Sequence, residues 1–182
     1  SYRAELCCGL DNLWQVFRET PGLPVETSHW MVINESPDGY AVMHVSGNPG
    51  AIAAGDIAAI RTETSDRWQT CIVRWAISEN QEHLELGLQI LASKAIPATL
   101  TLQLPGKEET EKLPVLILPS VPPLRPLQML VVPPGVLDTE PKHLVLMIEK
   151  RNLELREVRN TALDEQNSQI EIFSIEPDSY PT

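Results

Sequence analysis

The sequence predicts an all-β protein, and three observations support that prediction. Short apolar segments follow one another at the spacing of strands from about residue 29 to residue 104. Turn-forming residues separate them, as at Pro37-Asp38-Gly39 and Ser78-Glu79-Asn80. Sixteen prolines stand against nine glycines, a balance typical of strand ends and rigid connections. Short strands spaced in this way indicate an antiparallel barrel or sandwich.

The N-terminal residues predict a strand followed by one short helix. Apolar residues occupy every second position at the start of the chain, at Ala4, Leu6, Cys8 and Leu10. Asp11 is placed to cap the helix that follows. The helix would bury one apolar face, made of Leu13, Trp14 and Phe17.

The rest of the chain predicts strands. Six are expected first, at 29–34, 39–45, 56–62, 67–78, 83–90 and 97–104. The C-terminal part then has apolar segments at 113–118, 129–132, 143–149, 153–158 and 170–175. Helix propensity competes with strand over 154–159, but Leu153 and Leu155 are two apart, which favours a strand paired back on 143–149.

A charged, turn-rich segment at 105–112 predicts a linker between two units. The first unit, 1–104, is expected to be an antiparallel β-barrel with the short helix. The second, 113–182, is expected to be a Pro-rich C-terminal β extension, because four prolines over 119–126 favour extended chain. It is either a second small β unit or a set of extra strands packed on the first barrel.

The net charge of the chain restricts the classes of ligand and partner that it can bind. The net charge is −11, with −6 in residues 1–104 and −5 in residues 105–182. Polymeric nucleic acid is excluded as a partner because its phosphates require a basic surface. A small ligand with two phosphates is a different case, since one or two well-placed arginines are sufficient for it.

Motifs for metal binding and catalysis are not found in the sequence. Cys7 and Cys8 are adjacent and Cys71 is isolated, a spacing that favours buried free thiols over a zinc site or disulfides. The four histidines are scattered. No serine or cysteine stands in a recognisable nucleophile motif. We therefore expect a protein that is not an enzyme and that needs no metal or other cofactor.

The sequence also bears on location. No apolar run approaches the ~20 residues of a membrane-spanning helix, and no signal peptide begins the chain. We therefore expect a cytoplasmic protein that does not insert into a membrane. The first residue is serine, so the chain is either a processed product or a fragment of a longer protein.

One turn and the strands after it resemble a known family. Asn34-Glu35-Ser36-Pro37-Asp38-Gly39 forms an N-x-S-x-x-G pattern between two apolar runs. Apolar segments at 55–61, 68–75 and 84–91 follow in order. Together these resemble the PilZ family of small bacterial β-barrels over roughly residues 29–104. The resemblance implies a receptor or adaptor that binds the messenger cyclic di-GMP and passes its level to a partner protein, here unidentified.

The resemblance also implies site residues. Asn34, Ser36 and Gly39 match the turn that closes on guanine, and Gly39 allows a backbone geometry that a Cβ resists. The family's R-x-x-x-R pair is incomplete, because Arg3 is the arginine near the required place. Arg74 is next to Trp75 on a strand and either meets a nucleobase or pairs with a carboxylate. The alternative function is a PilZ-like protein-interaction module that does not bind nucleotide.

Overall fold

The computed structural model describes residues 1–20, 22–80, 82–103, 106, 108 and 110–178. Within these residues the chain forms one helix and twelve strands. In chain order they are β1 (Tyr2–Cys8), α1 (Leu10–Val16), β2 (Ser28–Ser36), β3 (Gly39–Ser46), β4 (Ile57–Thr62), β5 (Gln69–Asn80), β6 (His83–Ala92), β7 (Ile96–Gln103), β8 (Thr110–Leu118), β9 (Gln128–Val132), β10 (His143–Glu149), β11 (Leu153–Gln166) and β12 (Glu171–Pro177).

The strands form two closed antiparallel barrels. The first barrel has the order β1-β2-β3-β6-β5-β4, and the second has the order β10-β11-β12-β9-β8-β7. The predicted all-β class with a barrel and one short helix is confirmed. The C-terminal extension is itself a barrel. In it, residues 153–159 form a strand that pairs with β10, with Leu153 opposite Glu149 and Arg159 opposite His143.

The change from one barrel to the other comes earlier in the chain than the expected linker. The strand predicted at 97–104 forms as β7, but it pairs with β8 and β10 of the second barrel. Thr110, inside the predicted linker, already pairs with Gln103 as β8 begins. A charged turn-rich segment marks a hairpin as well as a domain linker, so composition misplaces the boundary. The predicted linker positions Pro105, Lys107 and Glu109 lie outside the described residues.

The helix begins one residue before the predicted cap. Gly9, with a φ of 93°, is the residue at the N-cap, and no side chain caps the helix there. The expectation that Asp11 caps the helix is therefore wrong. Asp11 lies in the first turn, where a negative charge is favourable beside the helix dipole. No helix in the described part of the chain is long and apolar enough to span a bilayer.

Apolar residues form three clusters, one inside each barrel and one between the barrels. The cluster between them, here called the shared core, contains buried residues from α1 and from both barrels. Its buried members are Cys7, Leu10, Leu13, Ile57, Ala59, Ile72, Ala92, Ala95, Leu116, Leu118, Met129, Val131, Ile170 and Ile172. Trp14 fastens the helix to the second barrel, because its indole N–H donates to the carbonyl of Ala98 at 2.9 Å.

The three cysteines are free thiols, as expected. Cys7 and Cys71 are buried, whereas Cys8 is half-buried. Burial raises the pKa of the Cys7 thiol to about 12. At neutral pH this thiol is therefore protonated and packs as a small apolar side chain.

Candidate functional site

A cavity of about 390 Å³ opens on the outer face of the first barrel, beside the turn between β2 and β3. It is here called the outer cavity. Its lining comes from β2, β3, β5 and β6 and comprises Asn34, Glu35, Ser36, Asp38, Gly39, Tyr40, Ala41, Arg74, Trp75, Gly87, Leu88 and Gln89. Four of the five predicted site residues thus lie around one opening, namely Asn34, Ser36, Gly39 and Arg74.

Local polar contacts shape the 34–39 turn. The register between β2 and β3 shifts between Val32 and Asn34, and such a bulge re-aims the side chains that follow it. The side-chain oxygen of Asn34 accepts a hydrogen bond from the backbone N–H of Glu35 at 2.9 Å. The Ser36 hydroxyl donates to the Asp38 carboxylate at 2.8 Å. The turn therefore presents amide, hydroxyl and carboxylate groups at the rim of the cavity.

Gly39 is required by a close backbone contact and not by an unusual dihedral angle. It pairs with Gln89 of β6, and it is not among the glycines with positive φ. A Cβ added at this position would lie 2.1 Å from the carbonyl oxygen of Leu88. The sequence predicted that Gly39 is needed for its backbone geometry, and that reason is wrong; the need for glycine is steric and comes from the neighbouring strand.

The Trp75 indole packs over Gly87, its cross-strand neighbour, because that residue has no side chain. Trp75 is opposite Gly87, and a Cβ on Gly87 would lie 2.0 Å from the indole nitrogen. The indole remains 40% exposed. An exposed ring on a rigid strand is a stacking surface for a nucleobase. Sequence reasoning missed Gly87, although an isolated glycine within a strand is a recognised sign of close approach.

Arg74 is held from two sides. Its Nε donates to Gln89 Oε1 at 2.6 Å, and its Nη1 donates to Glu165 Oε1 at 2.9 Å. Gln89 belongs to the first barrel, whereas Glu165 lies on β11 of the second barrel, 91 residues further along the chain. Of the two roles considered for Arg74, pairing with a carboxylate is the one that the structure shows. No local sequence signal could have identified Glu165.

Carboxylates outnumber cations in the cavity lining. Glu35 and Asp38 both line it, and Arg74 is the cation among its lining residues. Glu35 accepts a hydrogen bond from the Tyr2 hydroxyl. Burial and this contact raise the pKa of Tyr2, so that its hydroxyl stays protonated and donates. The lining is therefore rich in hydrogen-bond acceptors and carries a net negative charge.

Arg3 is the predicted site residue that does not line the outer cavity. It lies on β1 opposite Met31, and its backbone N–H donates to Glu63 at 3.1 Å. Its side chain lines a separate depression together with Glu5, Arg61 and Glu63. Among the described residues no group of three or more His, Cys, Asp and Glu side chains is placed to hold a metal ion.

Comparisons with known proteins bear on the same segment. Residues 22–97 match a family model described as the middle PilZ domain of the cyclic-di-GMP receptor FimW. The cyclic-di-GMP receptor FimW of Pseudomonas aeruginosa is 24% identical to this chain over 90 residues, which cover 50% of this chain and 15% of that protein. No solved structure matches the chain. The resemblance to the PilZ family predicted from the sequence is thus confirmed over residues 22–97, which include the whole lining of the outer cavity.

Proposed function

We propose that this chain binds cyclic di-GMP in the outer cavity and passes the signal to a partner protein. One observation carries the proposal: the 34–39 turn, the exposed Trp75 ring and Arg74 surround a single cavity. Its volume of about 390 Å³ lies within the ordinary range for small-ligand sites. The matching family model, which is named for a cyclic-di-GMP receptor, covers the same residues.

Each part of the cavity suits one part of a guanine nucleotide. A guanine ring stacks on the face of Trp75. The ring's N–H groups are donors, and the carboxylates of Glu35 and Asp38 are acceptors that can receive two such bonds together. The guanidinium of Arg74 meets a phosphate in a charge-assisted contact. In this assignment the protein performs no catalysis and needs no cofactor, and it acts in the cytoplasm.

A second function is favoured by the charge of the cavity. Its lining holds two carboxylates and one arginine, and that arginine is already paired with Glu165. Arg3, the visible part of the family's arginine pair, lines another depression. These features fit an interaction module that keeps the barrel and does not bind nucleotide.

Calorimetric titration with cyclic di-GMP distinguishes the two functions. Trp75→Ala removes the stacking surface, whose contribution of about 1–3 kcal/mol corresponds to roughly five- to a hundredfold weaker binding. Arg74→Gln removes a charge-assisted contact and should weaken binding about ten- to a hundredfold. Arg3→Ala should change affinity less than Arg74→Gln.

Matched controls lie on the same barrel outside the cavity. Trp68→Ala removes another partly buried tryptophan, and Arg61→Gln removes an arginine that forms an ion pair with Glu5 at 3.0 Å. Neither should alter affinity as the cavity variants do. Titration with cyclic di-AMP tests whether the carboxylates of Glu35 and Asp38 recognise guanine. Cyclic di-AMP should bind more weakly than cyclic di-GMP. Absence of heat with cyclic di-GMP for the folded wild-type chain would reject the receptor and leave the interaction module.

A further inference from the structure

A side chain of the second barrel, Glu165, contacts Arg74, which lines the outer cavity. Glu165 lies near the end of β11, and its carboxylate accepts a hydrogen bond from Arg74 Nη1 at 2.9 Å. Both residues of this ion pair adjoin irregular strand positions. The register of β5 shifts between Val73 and Trp75, and that of β11 shifts between Leu163 and Glu165. Because bulges redirect side chains, the two strands are shaped to bring these charges together.

We propose that Glu165 is the resting counter-ion of Arg74, that an anionic ligand displaces it, and that ligand binding is thereby coupled to the contact between the barrels. This inference rests on the proposed function, because it concerns the arginine assigned to the ligand phosphate. A phosphate and the Glu165 carboxylate are both anions that require the same guanidinium face. Occupation by one therefore disfavours occupation by the other.

The ion pair has the character of an exchangeable contact. The side chains of Arg74 and Glu165 are 41% and 32% exposed, so water takes over the solvation of the carboxylate once it is released. Pairs as exposed as this one contribute little to stability. Gln89 accepts from Nε of the same guanidinium at 2.6 Å, and this bond lies within the first barrel. Arg74 therefore stays aligned with the cavity when Glu165 leaves.

The consequence is confined to the end of β11. Two residues beyond Glu165, the side chain of Asn167 donates to Asp56 of the first barrel at 2.9 Å. Asp56 is 9% exposed, and its second carboxylate oxygen accepts from the backbone of Ala53 at 2.8 Å. This partly buried contact and the shared core remain when the exposed pair opens. Release of Glu165 thus loosens the strand end on the second barrel without separating the barrels.

Thermodynamic linkage makes the coupling measurable from either side. If Glu165 lowers the affinity for the ligand by some factor, the bound ligand weakens the Arg74–Glu165 pair by the same factor. Neutralising Glu165 while keeping its shape should therefore tighten ligand binding. The size of the effect should match an ion pair that is partly exposed, which is about one and a half- to fivefold in affinity.

The test is a set of calorimetric titrations with cyclic di-GMP on the full chain. Glu165→Gln should bind about one and a half- to fivefold more tightly than wild type. Glu154→Gln is the matched control, because Glu154 lies on the same strand and pairs with Lys150 and Arg156 of its own barrel. It reports the general effect of removing one negative charge. In an Arg74→Gln background the Glu165→Gln substitution should have no effect beyond that of the control.

A second measurement follows the strand end directly. Amide hydrogen exchange over 160–166 should become faster when wild type binds cyclic di-GMP, and this ligand-induced change should be absent in Glu165→Gln. Equal affinities for Glu165→Gln and Glu154→Gln, with wild type binding normally, would overturn the coupling and leave the receptor function intact. If wild type and both variants are folded and none of them binds, the receptor function and the coupling are both rejected.

Discussion

The two barrels meet through contacts of different physical kinds. The shared core between them is apolar, and Leu13 and Ile172 are fully buried in it. At the edge of the outer cavity the barrels meet through the Arg74–Glu165 ion pair, whose two side chains are about two-fifths and one-third exposed. Burial of apolar surface is strong and does not depend on direction, whereas an exposed ion pair is weak and easily exchanged with water or ligand. The first contact therefore holds the molecule together, and the second is free to change.

The largest effect on stability is expected from removing the second barrel. A chain that ends after residue 94 keeps β1 to β6 but uncovers Leu10, Leu13 and Ile57 of the shared core. Large exposed apolar patches destabilise a domain or cause aggregation. We expect this truncated chain to unfold in urea without the cooperative transition of the full chain. Circular dichroism measures the unfolding of both chains. A cut after residue 107 should do no better, because it leaves β7 without β8 and β10. An equally stable truncated barrel would show that the barrels are independent domains.

Leu13→Ala tests the shared core without removing an element. Leu13 is fully buried on α1 within that core. Truncating a buried leucine typically lowers the free energy of unfolding by about 2–5 kcal/mol. Leu124→Ala is the control, because Leu124 is 88% exposed and its loss should change stability by no more than about 0.5 kcal/mol. Similar urea midpoints for the two variants would contradict the role given to the shared core.

Local sequence patterns predicted most of the fold because strands carry local signals. Every predicted strand forms, and the strand at 153–159 was correctly preferred over a helix because Leu153 and Leu155 are two apart. The helix start was missed, since a glycine with positive φ at the N-cap left no side-chain cap to recognise. The sequence did not identify the barrel that β7 joins, because long-range packing determines which strands pair and composition does not show it.

The residues of the candidate site also fall into two groups: those that a local motif identifies, and those that only long-range packing brings to the site. Asn34, Ser36 and Gly39 form one hairpin turn, so a local motif could find them together. The placement of Gly87 beneath Trp75 depends on the cross-strand register of β5 and β6. Glu165 comes from the other barrel, and the separation of Arg3 from the outer cavity depends on how the first barrel closes. These long-range relations cannot be predicted from local sequence and are seen only in the folded structure.

A smaller effect is expected at the partly buried polar contact between the barrels, where Asn167 donates to Asp56. Asn167→Asp keeps the oxygen that accepts from the backbone of Gln169 and Ile170 but replaces the donor to Asp56 with a second carboxylate. Losing a partly buried hydrogen bond and adding this repulsion should lower the free energy of unfolding by about 1–3 kcal/mol at pH 7. Urea unfolding curves of the variant and wild type at pH 7 measure the loss, and a loss below about 0.5 kcal/mol would contradict this account.

The smallest effect on stability is expected for Glu165→Gln, although its effect on ligand affinity should be measurable. Glu165→Gln removes one charge of an exposed pair, and such pairs are typically worth about 0.2–1 kcal/mol. Because the pair is exposed, added salt screens it, and the difference from wild type should vanish at ionic strengths near 1 M. Urea unfolding at low and high salt measures both quantities. A loss as large as that of Leu13→Ala would mean that the ion pair is a structural contact between the barrels, and it could not then serve as the exchangeable one.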